Sequence, residues 1–217
     1  AATFASPPVI RSLIDAGAPV DVKAPCGVMG CWNEGGCRSA KVENVAAILE
    51  ARPELASKKD MKGSYGLTYA LLAPKHVQVD LVRLFLSKMS GDKATLKEQL
   101  NKRDLFGFNA SQFLAMNPDI DPKVFELLAE AGADLEAPVK FGLPIRMMFS
   151  FMSFLARFGS LEANALKRDP FSHMGKKTVP LVMAERGNTQ MVKKYLEVAQ
   201  INPDAIRDKK GVSPVDK

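Results

Sequence analysis

One phrase recurs along this chain and narrows its possible folds more than any other feature. Ile10-Arg11-Ser12-Leu13-Ile14-Asp15-Ala16-Gly17-Ala18 and Val124-Phe125-Glu126-Leu127-Leu128-Ala129-Glu130-Ala131-Gly132-Ala133-Asp134 are nearly the same text. A β-branched or aromatic residue, followed by an apolar pair three and four positions on, begins copies at Ile10, Val45, Val82, Val124 and Val192, and a degraded copy, with Arg157 before Phe158, begins at Phe154. The spacings are 35, 37, 42, 30 and 38 residues. A regular period of this size marks a stack of units, none of which buries its apolar face alone. The 217 residues therefore read as a single domain, residues 1–217, and not as two independent globules.

Each copy carries local signals with a mechanical reason. The apolar pairs Leu13 and Ile14, Ile48 and Leu49, Phe85 and Leu86, Leu127 and Leu128, and Tyr195 and Leu196 share a helical face with their anchors. They are the expected core. Gly17 and Gly132 follow their helices, where glycine adopts the left-handed conformation that other residues resist. Gly211-Val212-Ser213-Pro214-Val215-Asp216, Gly66-Leu67-Thr68-Tyr69-Ala70-Leu71-Leu72-Ala73 and Thr178-Val179-Pro180-Leu181-Val182-Met183-Ala184 read as openings of first helices. Ser or Thr before Pro caps such a helix, and Pro in its first turn forgoes an amide that lacks a partner there.

These phrases resemble the ankyrin repeat, whose unit reads G-x-T-P-L-H-x-A, then V-x-x-L-L, then E-A-G-A-D, with a period of ~33 residues. The resemblance covers almost the whole chain. It implies an all-α ankyrin-repeat solenoid of about six helix-turn-helix units with irregular insertions. No copy keeps the family's His, Tyr69 replaces Pro, and residues 107–115 keep Gly and Ala but lose Thr and Pro. The opening phrase at Gly211 stands at the end of the chain, so the last repeat reads as truncated. Tetratricopeptide repeats, of similar period, leave the Gly-Ala turns unexplained.

Two stretches depart from the unit length. Ser87 to Asn101 reads as an expanded turn, running through Lys88-Met89-Ser90-Gly91-Asp92. Ala24 to Ala40 is rich in glycine, and Gly27, Gly30, Gly35 and Gly36 would each cost ~1 kcal/mol inside a helix. That stretch also holds all three cysteines, Cys26, Cys31 and Cys37, and the one tryptophan, Trp32. The C-x4-C-x5-C spacing matches no common zinc pattern. Two readings stand: a disulfide in an exported protein, or small buried hydrophobes in a reducing compartment.

Phe141 to Phe158 holds five Phe and three Met, but Arg146, Arg157 and Pro144 interrupt it short of the ~18 apolar residues of a spanning helix. It reads as a buried helix and its neighbour. Any Met or Phe left outside would offer an adaptable contact surface.

Catalytic phrases are absent from the reading. His76, in an expected interhelical turn, and His173, in a loop, have no nucleophile-base context. Gly27-x-x-Gly30 lacks the Lys and Ser or Thr of a phosphate-binding loop. The expected protein is not an enzyme, takes no cofactor, metal or small-molecule substrate, and is a monomer.

One constellation rises above the background. Lys58-Lys59-Asp60, Lys102-Arg103-Asp104 and Lys167-Arg168-Asp169 recur ahead of successive first helices, and Arg207-Asp208 continues the series in shifted order. In the ankyrin arrangement these positions fall on finger-like turns at one edge. The Asp is expected to bond turn amides, while the basic residues stack into a positive ladder. With a net charge of +6, a ladder of Lys58, Lys59, Lys102, Arg103, Lys167, Arg168 and Arg207 points to an acidic protein partner, with Trp32 as an interface anchor. The bland alternative is a solvated edge. Nucleic acid is disfavoured, because few aromatics interleave with the basic residues.

The expected function is thus a non-catalytic protein-binding scaffold. Its sharper form is a periplasmic immunity or inhibitor protein that masks a toxic enzyme. Ala1-Ala2-Thr3-Phe4-Ala5-Ser6-Pro7-Pro8, without Met, suits the residues after a cleaved signal, which leans toward a periplasmic or secreted location, with cytoplasmic as the alternative. The rival reading is a targeting module of a secreted effector or larger enzyme whose activity lies outside this segment.

Overall fold

The computed structural model describes residues 4–20, 36–60, 62–89, 91–117, 119–138, 140–147, 183–184, 189–200 and 202. Every regular element among them is helical, and no strand occurs among the described residues. The helices are α1 (Pro7–Asp15), α2 (Val42–Ala51), α3 (Gly66–Leu71), α4 (Lys75–Lys88), α5 (Lys93–Asn101), α6 (Ala110–Met116), α7 (Pro122–Glu130) and α8 (Thr189–Ala199), with a 3-10 turn at Pro53–Ser57. No helix among the described residues is long and apolar enough to cross a membrane.

The helices pack in chain order. α1 lies on α2, α2 on α4, α4 on α7 and α7 on α8, while α3 pairs with α4 and packs on α6. The anchors explain this succession. Ile10, Val45, Val82, Val124 and Val192 are all buried, and so are Ile48, Leu49, Phe85, Leu128, Tyr195 and Leu196. Phe125 of α7 meets the Tyr195 ring of α8 edge-on, with centroids 5.4 Å apart. Leu86 and Leu127 are only half-buried, so one member of each of those pairs carries more of the core. Leu13 departs further from expectation, at 41% exposed. α1 buries Ile10, and Leu13 falls beside that contact, not within it.

The two best copies of the recurrent phrase end in the same cap. After α1, Gly17 (φ +81°) donates to Ile14 O and Ala18 donates to Leu13 O. After α7, Gly132 (φ +90°) donates to Ala129 O and Ala133 donates to Leu128 O. Both are paired closures of orphan carbonyls around a left-handed residue, which is why the text repeats Gly there.

Several local expectations are corrected. The stretch Ser87 to Asn101 is no mere turn: residues from Lys93 form α5, capped by Asp92, whose carboxylate accepts the Thr95 amide at 2.8 Å. α5 is stitched to the cap after α7, as Asn101 donates to Gly132 O at 3.1 Å and accepts the Asp134 amide at 2.6 Å. Thr68 does not cap α3, which starts two residues earlier, at Gly66. α6, lacking Thr and Pro, is closed by Asn109 and Gln112, each side chain accepting the other's backbone amide. His76 is exposed in the first turn of α4, and not between helices.

The beginning of the Phe- and Met-rich stretch is buried on one side only, where Phe141 and Ile145 pack against the core. Residues 143–147 are helical, but Leu143 is 67% and Met147 63% exposed. Apolar letters had set the expectation, and letters do not say which face a helix turns inward. Residues 148–158, with Phe154, lie outside the described residues.

A buried amide ties three helices together. Gln78 Nε2 donates to Leu71 O and Ala73 O at 3.1 and 3.0 Å, and its Oε1 accepts the Asp121 amide at 2.9 Å. Asn117 adds a bond to Leu71 O at 2.9 Å. The carbonyls left open by the end of α3 are thus satisfied by side chains of later elements.

Candidate partner-binding edge

Two turns of identical construction precede α3 and α6. In the first, Asp60 Oδ1 accepts the amides of Lys62 and Ser64 at 2.8 and 2.9 Å. In the second, Asp104 Oδ1 accepts those of Phe106 and Phe108 at 2.9 and 2.8 Å. Each Asp amide donates to the carbonyl four residues on, and each Asp carbonyl accepts from a glycine, Gly63 (φ +78°) or Gly107 (φ +93°). The aspartates thus hold the turns closed, as a short side-chain acceptor does best.

The turns are joined through their backbones. Leu105 donates to Lys62 O at 2.8 Å, and Gly142 donates to Phe106 O at 2.7 Å. Three chain segments, near residues 62, 105 and 142, therefore lie side by side. The Ser64 hydroxyl adds a bond to Asp104 Oδ2 at 3.3 Å, and the Tyr69 hydroxyl donates to Asp60 Oδ2. Burial raises the Asp104 pKa above the ordinary value, against the pull of the Phe108 and Phe106 amides, the Ser64 hydroxyl and the Gly107 amide.

The basic pairs enter these turns, and their two members differ. Lys58 and Lys102 are exposed, whereas Lys59 and Arg103 are half-buried. The Lys59 ammonium lies 5.3 Å from the centroid of the Tyr65 ring. Partial burial lowers the Lys59 pKa, and the Lys102 charge lowers it further, against the opposing pull of Asp104. Lys102 is 3.8 Å from Glu98 in an exposed pair of small weight.

Arg103 does have a local requirement, contrary to expectation. Its Nη1 donates to Gly107 O at 2.6 Å, and its Nη2 to Pro138 O at 2.8 Å. One guanidinium therefore closes its own turn and holds the following segment. A planar fork with two donor directions suits this task better than an ammonium. Lys167, Arg168, Arg207 and Trp32 lie outside the described residues.

Lys62 belongs to the same edge and was not singled out from sequence. Its ammonium stands 5.6 Å from the Tyr69 ring centroid. The signal that would have found it is the phrase Asp-x-x-Gly, present at 60–63 and 104–107 and again at 208–211. Between the two turns is a cavity of about 10 Å³, lined in part by Ser64, Thr68, Gln99 and Asp104. That is the room of a single water.

Cys37 is a free thiol and fully buried, and burial pushes its pKa far up. Such a thiol packs as a small hydrophobe. Cys26 and Cys31 lie outside the described residues. Among the described residues, no group of three or more His, Cys, Asp or Glu is placed to hold a metal ion.

No family model matches the chain, and no curated protein matches it.

Proposed function

We propose that this chain is a divergent ankyrin-repeat scaffold that binds an acidic protein through the edge formed by its stacked turns. The observation that carries the reading is the pair of turns at Asp60–Ser64 and Asp104–Phe108, identical in bonding and joined through the Leu105 amide and Lys62 carbonyl. The succession of α2, α4, α7 and α8, with α3 on α6 beside it, is the packing that two rows of repeated helices would give. Lys58, Lys59, Lys62 and Lys102 accompany the turns, and the turn aspartates point their oxygens into amides. Their fields add along the edge, which raises encounter rates with a negative surface more than it slows dissociation.

The test uses the wild-type chain and a Lys58→Glu/Lys59→Glu/Lys102→Glu variant. Each is used for affinity capture from native lysate, with identification by mass spectrometry, and association is then timed with the captured protein. A partner held by wild type, with slower association in the variant and in raised salt, supports the reading. Salt acts because exposed charges are screened over ~8–10 Å at physiological strength. An unchanged association rate in the variant returns the lysines to a solvated edge.

A further inference from the structure

The tip of the second turn carries a large apolar side chain that its local structure does not require, and the helical residues 143–147 carry two more. Leu105 occupies the tip of the second turn and is 56% exposed, whereas Leu143 and Met147 are 67% and 63% exposed. Leu143 and Met147 stand four residues apart in the helical residues 143–147, so they share a face. The Leu105 backbone lies against Gly142, the residue before Leu143: a Cβ built on Gly142 would lie 2.1 Å from Leu105 O, and Gly142 donates to Phe106 O. Scattered single hydrophobes on a surface need no explanation, but three exposed ones carried on adjoining segments do.

Cations frame these segments. Lys62 lends its carbonyl to the Leu105 amide, exposed Lys140 precedes the third segment, and exposed Arg146 sits between Leu143 and Met147. Between Glu136 and Glu162 the sequence contains no acidic residue, and Asp60 and Asp104 are engaged inside their turns. We infer that Leu105, Leu143 and Met147 seat apolar side chains carried on an acidic protein segment, with Lys62, Lys140 and Arg146 pairing its carboxylates. This rests on the reading of the edge as a protein-binding surface, and it assigns a chemistry to the partner: leucine-like residues interspersed with Asp or Glu.

Two other occupants suit the surface less well. A second copy of this chain would bring the same basic frame against itself, and like charges across an interface are strongly unfavourable. A lipid surface asks only for cations and apolar side chains, free to adjust their depth. Here Lys62 is set against Tyr69 and Leu105 is fixed by the joined turns, so positions are preset, as a partner of defined spacing would use them.

The experiment uses two fluorescein-labelled 14-residue peptides, one of Glu with Leu at every third position and one with Ser in place of Leu. It adds vesicles of phosphatidylglycerol and phosphatidylcholine, and anisotropy and sedimentation give the affinities. Wild type should bind the leucine peptide about tenfold tighter than the serine peptide, the change expected from seating one apolar side chain. Leu143→Ser/Met147→Ser should erase that preference and leave the serine peptide's affinity unchanged, with circular dichroism showing the helix intact. Lys140→Gln/Arg146→Gln should weaken both peptides. Equal binding of the two peptides by wild type overturns the inference, as does vesicle binding that Leu143→Ser/Met147→Ser abolishes, or a dimer in light scattering that the same change dissolves. If Lys58→Glu/Lys59→Glu/Lys102→Glu weakens both peptides while the leucine preference is absent, the basic edge stands and only the apolar seat falls. If wild type binds neither peptide, both readings fall.

Discussion

Gly107 and Gly132 have nearly the same backbone conformation, with φ of +93° and +90°, yet quite different surroundings. A Cβ on Gly132 would come 3.3 Å from Cγ of Lys97, a side chain with freedom to swing aside. A Cβ on Gly107 would come 1.9 Å from the Lys140 carbonyl oxygen and 2.5 Å from the Gly142 amide nitrogen, both backbone. Alanine at either site bears the left-handed strain of ~1–2 kcal/mol. Only at Gly107 must a neighbouring segment of chain also retreat. The bonds at stake are Gly142 to Phe106 O, at 2.7 Å, and Arg103 to Pro138 O, at 2.8 Å. Each is worth about 0.5–1.5 kcal/mol net, or more for the charged donor, so Gly107→Ala should cost roughly 2 kcal/mol beyond Gly132→Ala.

Urea unfolding followed by circular dichroism at a shared m value would read that difference directly. In thermal melts it corresponds to an additional drop of about 4–8 °C for a chain of this size. The paired design cancels the conformational strain and isolates the close approach. If the two variants lose the same stability within about 0.5 kcal/mol, residues 140–142 do not lie against the second turn and the joined-turn geometry is wrong.

Arg103→Lys should destabilise by ~1.5–3 kcal/mol, because an ammonium cannot reach both Gly107 O and Pro138 O; a stability equal to wild type in urea unfolding would refute the clamp. Asp104 has a folded pKa above its unfolded value, so the folded state holds its proton more tightly, and that contribution is present at low pH and lost as pH rises through the folded pKa. Asp104→Asn keeps an oxygen for the Phe106 and Phe108 amides and removes the titration, so the stability difference between wild type and variant should shift in the variant's favour as pH rises above about 4. Unfolding curves from pH 3 to 7 that show a constant difference would refute it.

The stacked anchors were legible because a helix repeats its buried face in the sequence itself. Ile10, Val45, Val82, Val124 and Val192 sit in the core where the apolar spacing placed them, and Gly17 and Gly132 take up the cap conformation that the repeated glycine implied. α5 escaped notice for a related reason. Its apolar residues are few, and its cap, Asp92 to Thr95, lies in text read as a loop. In the turns, the bonding of Asp60 and Asp104 to turn amides was legible, but the part played by Arg103 was not. Arg103 binds carbonyls at Gly107 and Pro138, and backbone acceptors leave no letter in a sequence, least of all one 35 residues away.

That hidden role bears on how such an edge would recognise a partner. A ladder of free lysines would attract any anion and discriminate little, since exposed charges act through a screened field. This edge is partly fixed: Lys59 and Lys62 stand against Tyr65 and Tyr69, and Arg103 locks the turn that carries Leu105. Fixing the cations in advance lowers the ordering cost of binding. It also converts a general attraction into a spacing that a partner must match. The turns that define the stack and the edge proposed to bind are therefore one construction, so a change such as Gly107→Ala should loosen recognition wherever it loosens the fold.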